Sequence, residues 1–292
     1  MFNRLQCQES AELGTFSFVK MHGCGNDYIY FDCFESEMPS PESVVGRLTD
    51  RNTGIGGDGI VLIQPSGRAD AKMRIFNPDG SESGMDGNSI RCVGKYLYES
   101  GRVKKPGMII ETPSGDKRLD LIIEKGEVTA VRVDMGQVWL RPEEIPVNLP
   151  GEAIVGRPVN ITSHPYEITC VNVGNPHAVI FHHDIDHFDL STIGPLFECA
   201  PVFPERINVE VAQILSRNNL KMRVWDRGVG ETMANGTGAC AAAVAAVLMG
   251  YCDKDADIHV GLRGGGLIIK YTDETVYMTG DCVRVFEGTV KV

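Results

Sequence analysis

An α+β fold of two similar halves facing each other across one cleft is predicted by two matching stretches and by the order of the segments around them. The first stretch, GMDGNSIRCVGKYLYE, runs from Gly84 to Glu99, and the second, MANGTGACAAAVAAVLMG, from Met233 to Gly250. Each opens with a short polar residue and a glycine (Asp86-Gly87, Asn235-Gly236), followed by Asn88 or Thr237, a cysteine (Cys92, Cys240) and an apolar run at helical spacing. Such residues before an apolar run are helix start signals, and a helix start leaves several backbone N–H groups without intrahelical partners. Free donors at the positive end of a helix dipole suit a carboxylate or phosphate. The third observation is order: a strand, a glycine-asparagine turn, a helix and several strands occur twice along the chain.

The 292 residues are enough for two domains, and 42% hydrophobic with 23% charged residues is a globular composition. A net charge of -11 argues against nucleic acid as partner, since such a protein needs a basic face. Nine cysteines with no CxxC pair and no secretory leader in residues 1–15 read as a reduced, cytoplasmic protein. The longest apolar run, Ala239 to Met249, is too short to span a bilayer and reads as a buried helix.

In chain order, Phe16 to Lys20 alternates as a strand and leads into HGCGNDYIYFDCF, where glycine and Asn26-Asp27 make a turn between β-rich runs. Pro41 to Asn52 reads as a capped amphipathic helix. TGIGGDGIVLIQ then holds a literal GxGxxG at Gly54, Gly56 and Gly59. A dinucleotide site needs that motif to follow a strand and open a helix; here it follows a helix and opens a strand, Ile60 to Gln64. The strand AKMRIFN, the turn NPDGSES and the first organising helix come next. GMIIETPSG, KRLDLIIEKG and EVTAVRVDMG read as antiparallel strands, and the proline-rich passage from Arg141 to Pro158 as a domain crossing. The second half repeats the plan with YEITCVNVGNPHAVIF, a helix near Asp189 to Glu198, VEVAQILS, LKMRVWDRG, the second organising helix and two or three closing strands. That helix is apolar almost all round, as one buried on every side should be.

Polar residues in turns beside Gly or Pro are the candidates for the cleft: Asn26, Asn77, Asn88, Asn175, His177, Asn208, Asp226, Arg227, Glu231 and Thr237, with Asp86 and Asn235 at the helix starts. Taken singly, Asn and Asp are turn formers. Collected, amides and an arginine suit the carboxylate and ammonium of a free amino acid. His177 has the chemistry of a general acid, base or orienter. The cluster His182, His183 and His187 with Asp184 and Asp186 reads as a solvated loop, and no metal is expected.

KMHGCGNDYIY, RNTGIGGDG, RIFNPDGSE, DGNSIRC, GNPHAV, PERINVE, RVWDRGVGET and NGTGACAAAVAA closely resemble the diaminopimelate epimerase family, from about Phe18 to Val292. The resemblance implies a pair of similar domains, each a strand barrel around a central helix. Their limits would be 1–134 plus 281–292 for one and 135–280 for the other, with residues 1–15 an extension. It implies a PLP-independent isomerase acting at the Cα of a free amino acid, without cofactor, cytoplasmic, commonly a homodimer, and serving lysine and peptidoglycan synthesis. Asn26, Asn77, Gly87, Asn88, Asn175, Asn208, Arg227, Gly236 and Thr237 would hold the substrate, with His177 and Asp226 beside the catalytic pair. In the family both organising helices begin with Cys-Gly, one thiolate removing the Cα proton and the opposite thiol returning one. This sequence has Asp86 and Asn235 there, and Asp226 where a Glu is usual. A carboxylate near pKa 4 is a weaker base than such a thiolate, and a carboxamide moves no proton near neutral pH. The expectation is therefore a diaminopimelate-epimerase-like isomerase acting at the Cα of a free amino acid by something other than the two-thiol mechanism; one way would be Asp86 as a single base with Asn235 as a hydrogen-bond donor to substrate. The alternatives are a one-base lyase or isomerase, and a non-catalytic amino-acid-binding relative or inactivated variant.

Overall fold

The computed structural model describes residues 14–161 and 164–292. The extension at residues 1–15 therefore lies almost wholly outside the described residues. The helices are α1 (Pro41–Thr49), α2 (Gly87–Glu99), α3 (Leu190–Glu198) and α4 (Gly236–Leu248). All strands join one continuous ladder, and its two halves repeat each other step for step.

In the first half Thr15–Gly23 pairs antiparallel with Asn26–Asp32, which pairs parallel with Gly59–Gln64. Gly59–Gln64 pairs antiparallel with Ala71–Phe76, which pairs parallel with Gly107–Glu111. Lys117–Glu124 and Glu127–Gly136 follow as antiparallel neighbours. The second half runs Tyr166–Asn172, Pro176–Phe181, Asn208–Ser216, Asn219–Asp226, Asp257–Leu262, Gly265–Tyr271 and Val276–Gly280 through the same sequence of pairings. Parallel neighbours need a long crossover. The helices supply them: α1 and α3 span the first parallel step of each half, α2 and α4 the second.

The halves are stitched where Glu127–Gly136 pairs with Val276–Gly280. Beyond that seam each half sends a strand to the other. Arg157–Val159 pairs with Tyr166–Asn172, and Val283–Lys291 returns to pair with Thr15–Gly23.

Both organising helices are enclosed by their own half. In α4 every residue from Gly238 to Ala246 is buried, a run of small side chains that lets the strands close in on all sides. Helix α2 is buried from Gly87 to Gly94 and its outer turns carry Lys95 and Glu99 to the surface. One hydrophobic core runs through both helices and both halves, while α1 and α3 each cover a separate cluster on the outside of their half.

Three details depart from the sequence reading. Helix α1 ends at Thr49, because Asp50 accepts from the backbone of Asn52 and Thr53 and turns the chain. Its N-cap Ser40 is left-handed and makes no side-chain cap bond. The closing segment has four strands rather than two or three, the fourth being the returning Val283–Lys291. The glycine-rich segment before Gly59 does pass from α1 into a strand, the reverse of a dinucleotide motif.

Candidate functional site

The site is built on the two helix starts. Asp86 is extended (φ -128, ψ 131), and its carboxylate accepts from Ser89 N at 2.6 Å. Asn235 has nearly the same backbone (φ -136, ψ 117) and its Oδ1 accepts from Gly238 N at 2.7 Å. Each is a side-chain cap on an orphan donor, worth about 1 kcal/mol of helix stability.

The residues after the caps are glycines, and the two starts meet there against Met278. A Cβ on Gly87 would lie 2.6 Å from Met278 Cε, and one on Gly236 would lie 3.0 Å from Met278 Sδ and 3.7 Å from Gly87 Cα. Met278, on the strand at the seam, thus wedges the two helix starts together. The fully buried Arg91 lies one turn along α2, donating to Gly87 O at 3.1 Å and Asn88 Oδ1 at 3.1 Å. It puts a fixed positive charge beside two positive helix ends.

The saturation of the caps differs. Asp86 is held by donors of its own helix, Asn88 and Ser89. Both ends of the Asn235 amide are engaged: Oδ1 also accepts from Thr237 Oγ1 at 2.9 Å, and one N–H of Nδ2 donates to Asp226 Oδ1. Asp226 Oδ2 in turn accepts from Thr232 Oγ1. One N–H of Asn235 is thus committed to Asp226.

A cleft in two lobes surrounds the caps. One lobe, of about 820 Å³, is walled by Asn26, Arg51, Asp58, Asn77, Glu231 and Arg263. The other, of about 630 Å³, is walled by Lys117, Asn175, Asn208, Arg227, Gly87 and Thr237. Asp86, Asp226 and Asn235, with Tyr28 and Val229, belong to both walls and so flank the neck between the lobes. Eleven of the residues singled out from sequence as site residues line this space, from both halves of the chain.

His177, Asn88 and Gly236 stand behind the wall. His177 is fully buried, its Nδ1 2.7 Å from Glu210 Oε1 and its Nε2 2.9 Å from Asn175 Oδ1. It orients Asn175 and holds Glu210, and its ring does not face the cleft. Asn88 bridges Arg91 and Asn26, with Nδ2 3.4 Å from Asn26 Oδ1. Asn26 is fixed from the other side by Asp58, at 2.8 Å. Asn208 donates to Pro176 O at 2.8 Å and accepts from Arg227 N at 2.9 Å, which sets the turn carrying Arg227. Asn77 closes its own turn on Ser81.

Burial pushes the Asp86 carboxyl above its ordinary range, opposed by the N–H groups of its helix and the charge of Arg91. Burial does the same to Asp226, opposed by Thr232, Asn235 and His177. Burial also raises Glu210, against the pull of His177. The cysteines of the two helices are in the core: Cys92 and Cys240 are fully buried, and burial pushes the Cys240 thiol up to about 12. They are not reactive thiols.

Sequence reasoning missed Lys117, Glu210, Arg91 and Met278. Glu210 and Arg91 lie inside quoted motifs but read as strand and helix residues, and nothing in the sequence marks Met278. Lys117 reaches the cleft from a strand start, where burial lowers its ammonium and Nζ donates to Met135 O at 3.0 Å. The histidine cluster lies away from the cleft, with His187 Nδ1 2.8 Å from Asp184 Oδ2. Among the described residues no helix is long and apolar enough to cross a membrane.

The sequence pattern of the family described as "Diaminopimelate epimerase" matches residues 18–140 and 169–285. The chain belongs to the diaminopimelate epimerase family. It is similar to a diaminopimelate epimerase of Acetivibrio thermocellus, 51% identical over 275 residues that cover 94% of this chain and 98% of that one. It is similar also to one of Desulfovibrio desulfuricans, 49% identical over 279 residues, covering 93% and 96%. A probable proline racemase from Agrobacterium radiobacter superposes with a TM-score of 0.70 at 15% identity, covering 94% of this chain and 92% of that one, a likeness of fold. Membership places the chain among isomerases of the amino-acid racemase and epimerase type.

Proposed function

We propose that this diaminopimelate epimerase family member acts at the Cα of diaminopimelate or a related free amino acid, without PLP, using Asp86 as base. The observation that carries the proposal is the position of Asp86. It caps a buried helix at the neck of a polar cleft, held by its own helix and open to the space between the halves. Asn26, Asn77, Gly87, Asn88, Asn175, Asn208, Arg227, Gly236 and Thr237 would bind the substrate directly or fix those that do. The two helix ends and Arg91 would stabilise negative charge gathering on the substrate carboxylate as the Cα proton leaves.

By the pairing of strands, we take residues 1–134 with 281–292 as one domain and 135–280 as the other. A homodimer fits the exposed apolar side chains Val283, Val285 and Phe286 on the returning strand, which among the described residues is paired on one edge only. A cytoplasmic place in lysine synthesis accords with the relatives' name and the reduced cysteines.

One observation favours a second reading, a binding protein without turnover: Asn235 carries no titrating group, and its amide is engaged at both ends by the protein. The test is Cα–H exchange on diaminopimelate in deuterated water, with binding measured by calorimetry on the same sample. Exchange that disappears for one of the two epimers in Asp86→Ala supports the proposal. Binding without exchange in the wild type overturns it in favour of the second reading.

A further inference from the structure

We infer that Asp226 is the second proton carrier of this site, so that two carboxyl groups stand where the family uses two thiols. The inference rests on the reading of the cleft as a Cα site. It follows from asking which group at the second helix start can move a proton. Asn235 cannot, being a carboxamide with both ends engaged. His177 is fully buried behind Asn175 and Glu210, and Cys240 is a turn deeper in the core. Glu231 is paired with Arg223 at 2.8 Å and Arg263 at 2.9 Å, and lines one lobe alone. Asp226 remains. It is the titratable group that reaches the neck from the second half, as Asp86 reaches it from the first.

Its surroundings fit the task. Asn235 and Thr232 each donate to one of its oxygens, which fixes the carboxyl plane at the mouth of α4. Asn235 is thereby a positioning residue, which explains an otherwise inert side chain at this place. Burial raises both carboxyls, the condition under which one of two facing acids keeps a proton at working pH.

The step balances without a cofactor. Asp86 as carboxylate takes the Cα proton; the C–H bond breaks, an O–H bond forms, and the electron pair delocalises into the substrate carboxylate. Asp226 as carboxylic acid then gives its proton to the opposite face of Cα. Product leaves with Asp86 protonated and Asp226 ionised, and the reverse reaction uses the opposite assignment.

The test is the isosteric Asp226→Asn beside Asp86→Asn, each given the two epimers of diaminopimelate separately in deuterated water, with substrate affinity measured in parallel. Each variant is expected to exchange the Cα–H of a different epimer, and inversion should fall about a hundredfold or more in both. Asp226→Glu should retain part of the inversion, which a purely structural Asp226 would not require. Inversion by Asp226→Asn at the wild-type rate overturns the inference and points to Lys117 as the other acid. Loss of exchange on both epimers with affinity kept also overturns it, leaving Asp226 a positioning role. Wild-type exchange of one epimer alone removes the second carrier but spares the proposed function; wild-type exchange of neither removes both.

Discussion

The starts of α2 and α4 are nearly the same piece of backbone and opposite pieces of chemistry. Both are extended caps followed by a glycine, a short polar residue and a buried helix, and both glycines rest on Met278. At the first start the cap is a carboxylate held by its own helix. At the second the cap is an amide whose acceptor is filled by Gly238 and Thr237 and whose donor is filled by Asp226. Duplication fixed the frame twice, and the side chain at the cap decides whether the frame moves a proton or passes that task to a neighbour.

The comparison breaks most visibly in activity. Asp86→Ala and Asn235→Ala remove equivalent caps, so each should cost about 1 kcal/mol in chemical denaturation. Their effect on Cα–H exchange should differ: Asp86→Ala should lose about a hundredfold to ten-thousandfold, the usual worth of a general base. Asn235→Ala should lose less, since Asp226 keeps its bond from Thr232. Equal losses would mean that both caps only build the helix.

A second contrast lies three residues on. The N–H donor to Asp86 belongs to Ser89, whereas the donor to Asn235 belongs to Gly238. A Cβ at Gly238 would lie 2.7 Å from Glu210 Oε1. Gly238→Ser should therefore destabilise by about 1–3 kcal/mol through overpacking, and weaken ligand binding as Glu210 and His177 shift. Gly238→Ser with wild-type stability would show that the second start tolerates the first one's sequence.

The smallest effect is electrostatic. The folded-state pKa of Asp86 is raised, so folding binds protons at this group, and its ionised form opposes the folded state at neutral pH. Asp86→Asn keeps an acceptor for Ser89 and removes that opposition. Its Tm should exceed that of the wild type at neutral pH, and the advantage should vanish as pH falls below the ordinary aspartate range. An advantage that grows on acidification would reverse the sign assigned to Asp86.

Much of this was legible in the sequence. The repeated Asp/Asn-Gly start, the small-residue run of α4 and the alternating strands state the duplicated frame through local rules of capping and periodicity. So do the turn asparagines, since a turn between buried strands has to face the cleft or solvent. What could not be read is what depends on the far half of the chain. That His177 turns inward to Glu210, that Met278 wedges two glycines, and that Asn235 points its amide at Asp226 are long-range facts without a local signature.

That a carboxylate and not a thiol draws the Cα proton is tested most directly by following Cα–H exchange on diaminopimelate in deuterated water before and after iodoacetamide. Among the described residues no cysteine lines either lobe of the cleft. Exchange is expected in the untreated protein and at the same rate after alkylation, while Asp86→Ala abolishes it for the epimer that Asp86 deprotonates. Loss of exchange in step with modification of a cysteine would contradict this, and so would a wild-type protein that binds diaminopimelate and leaves every Cα–H in place.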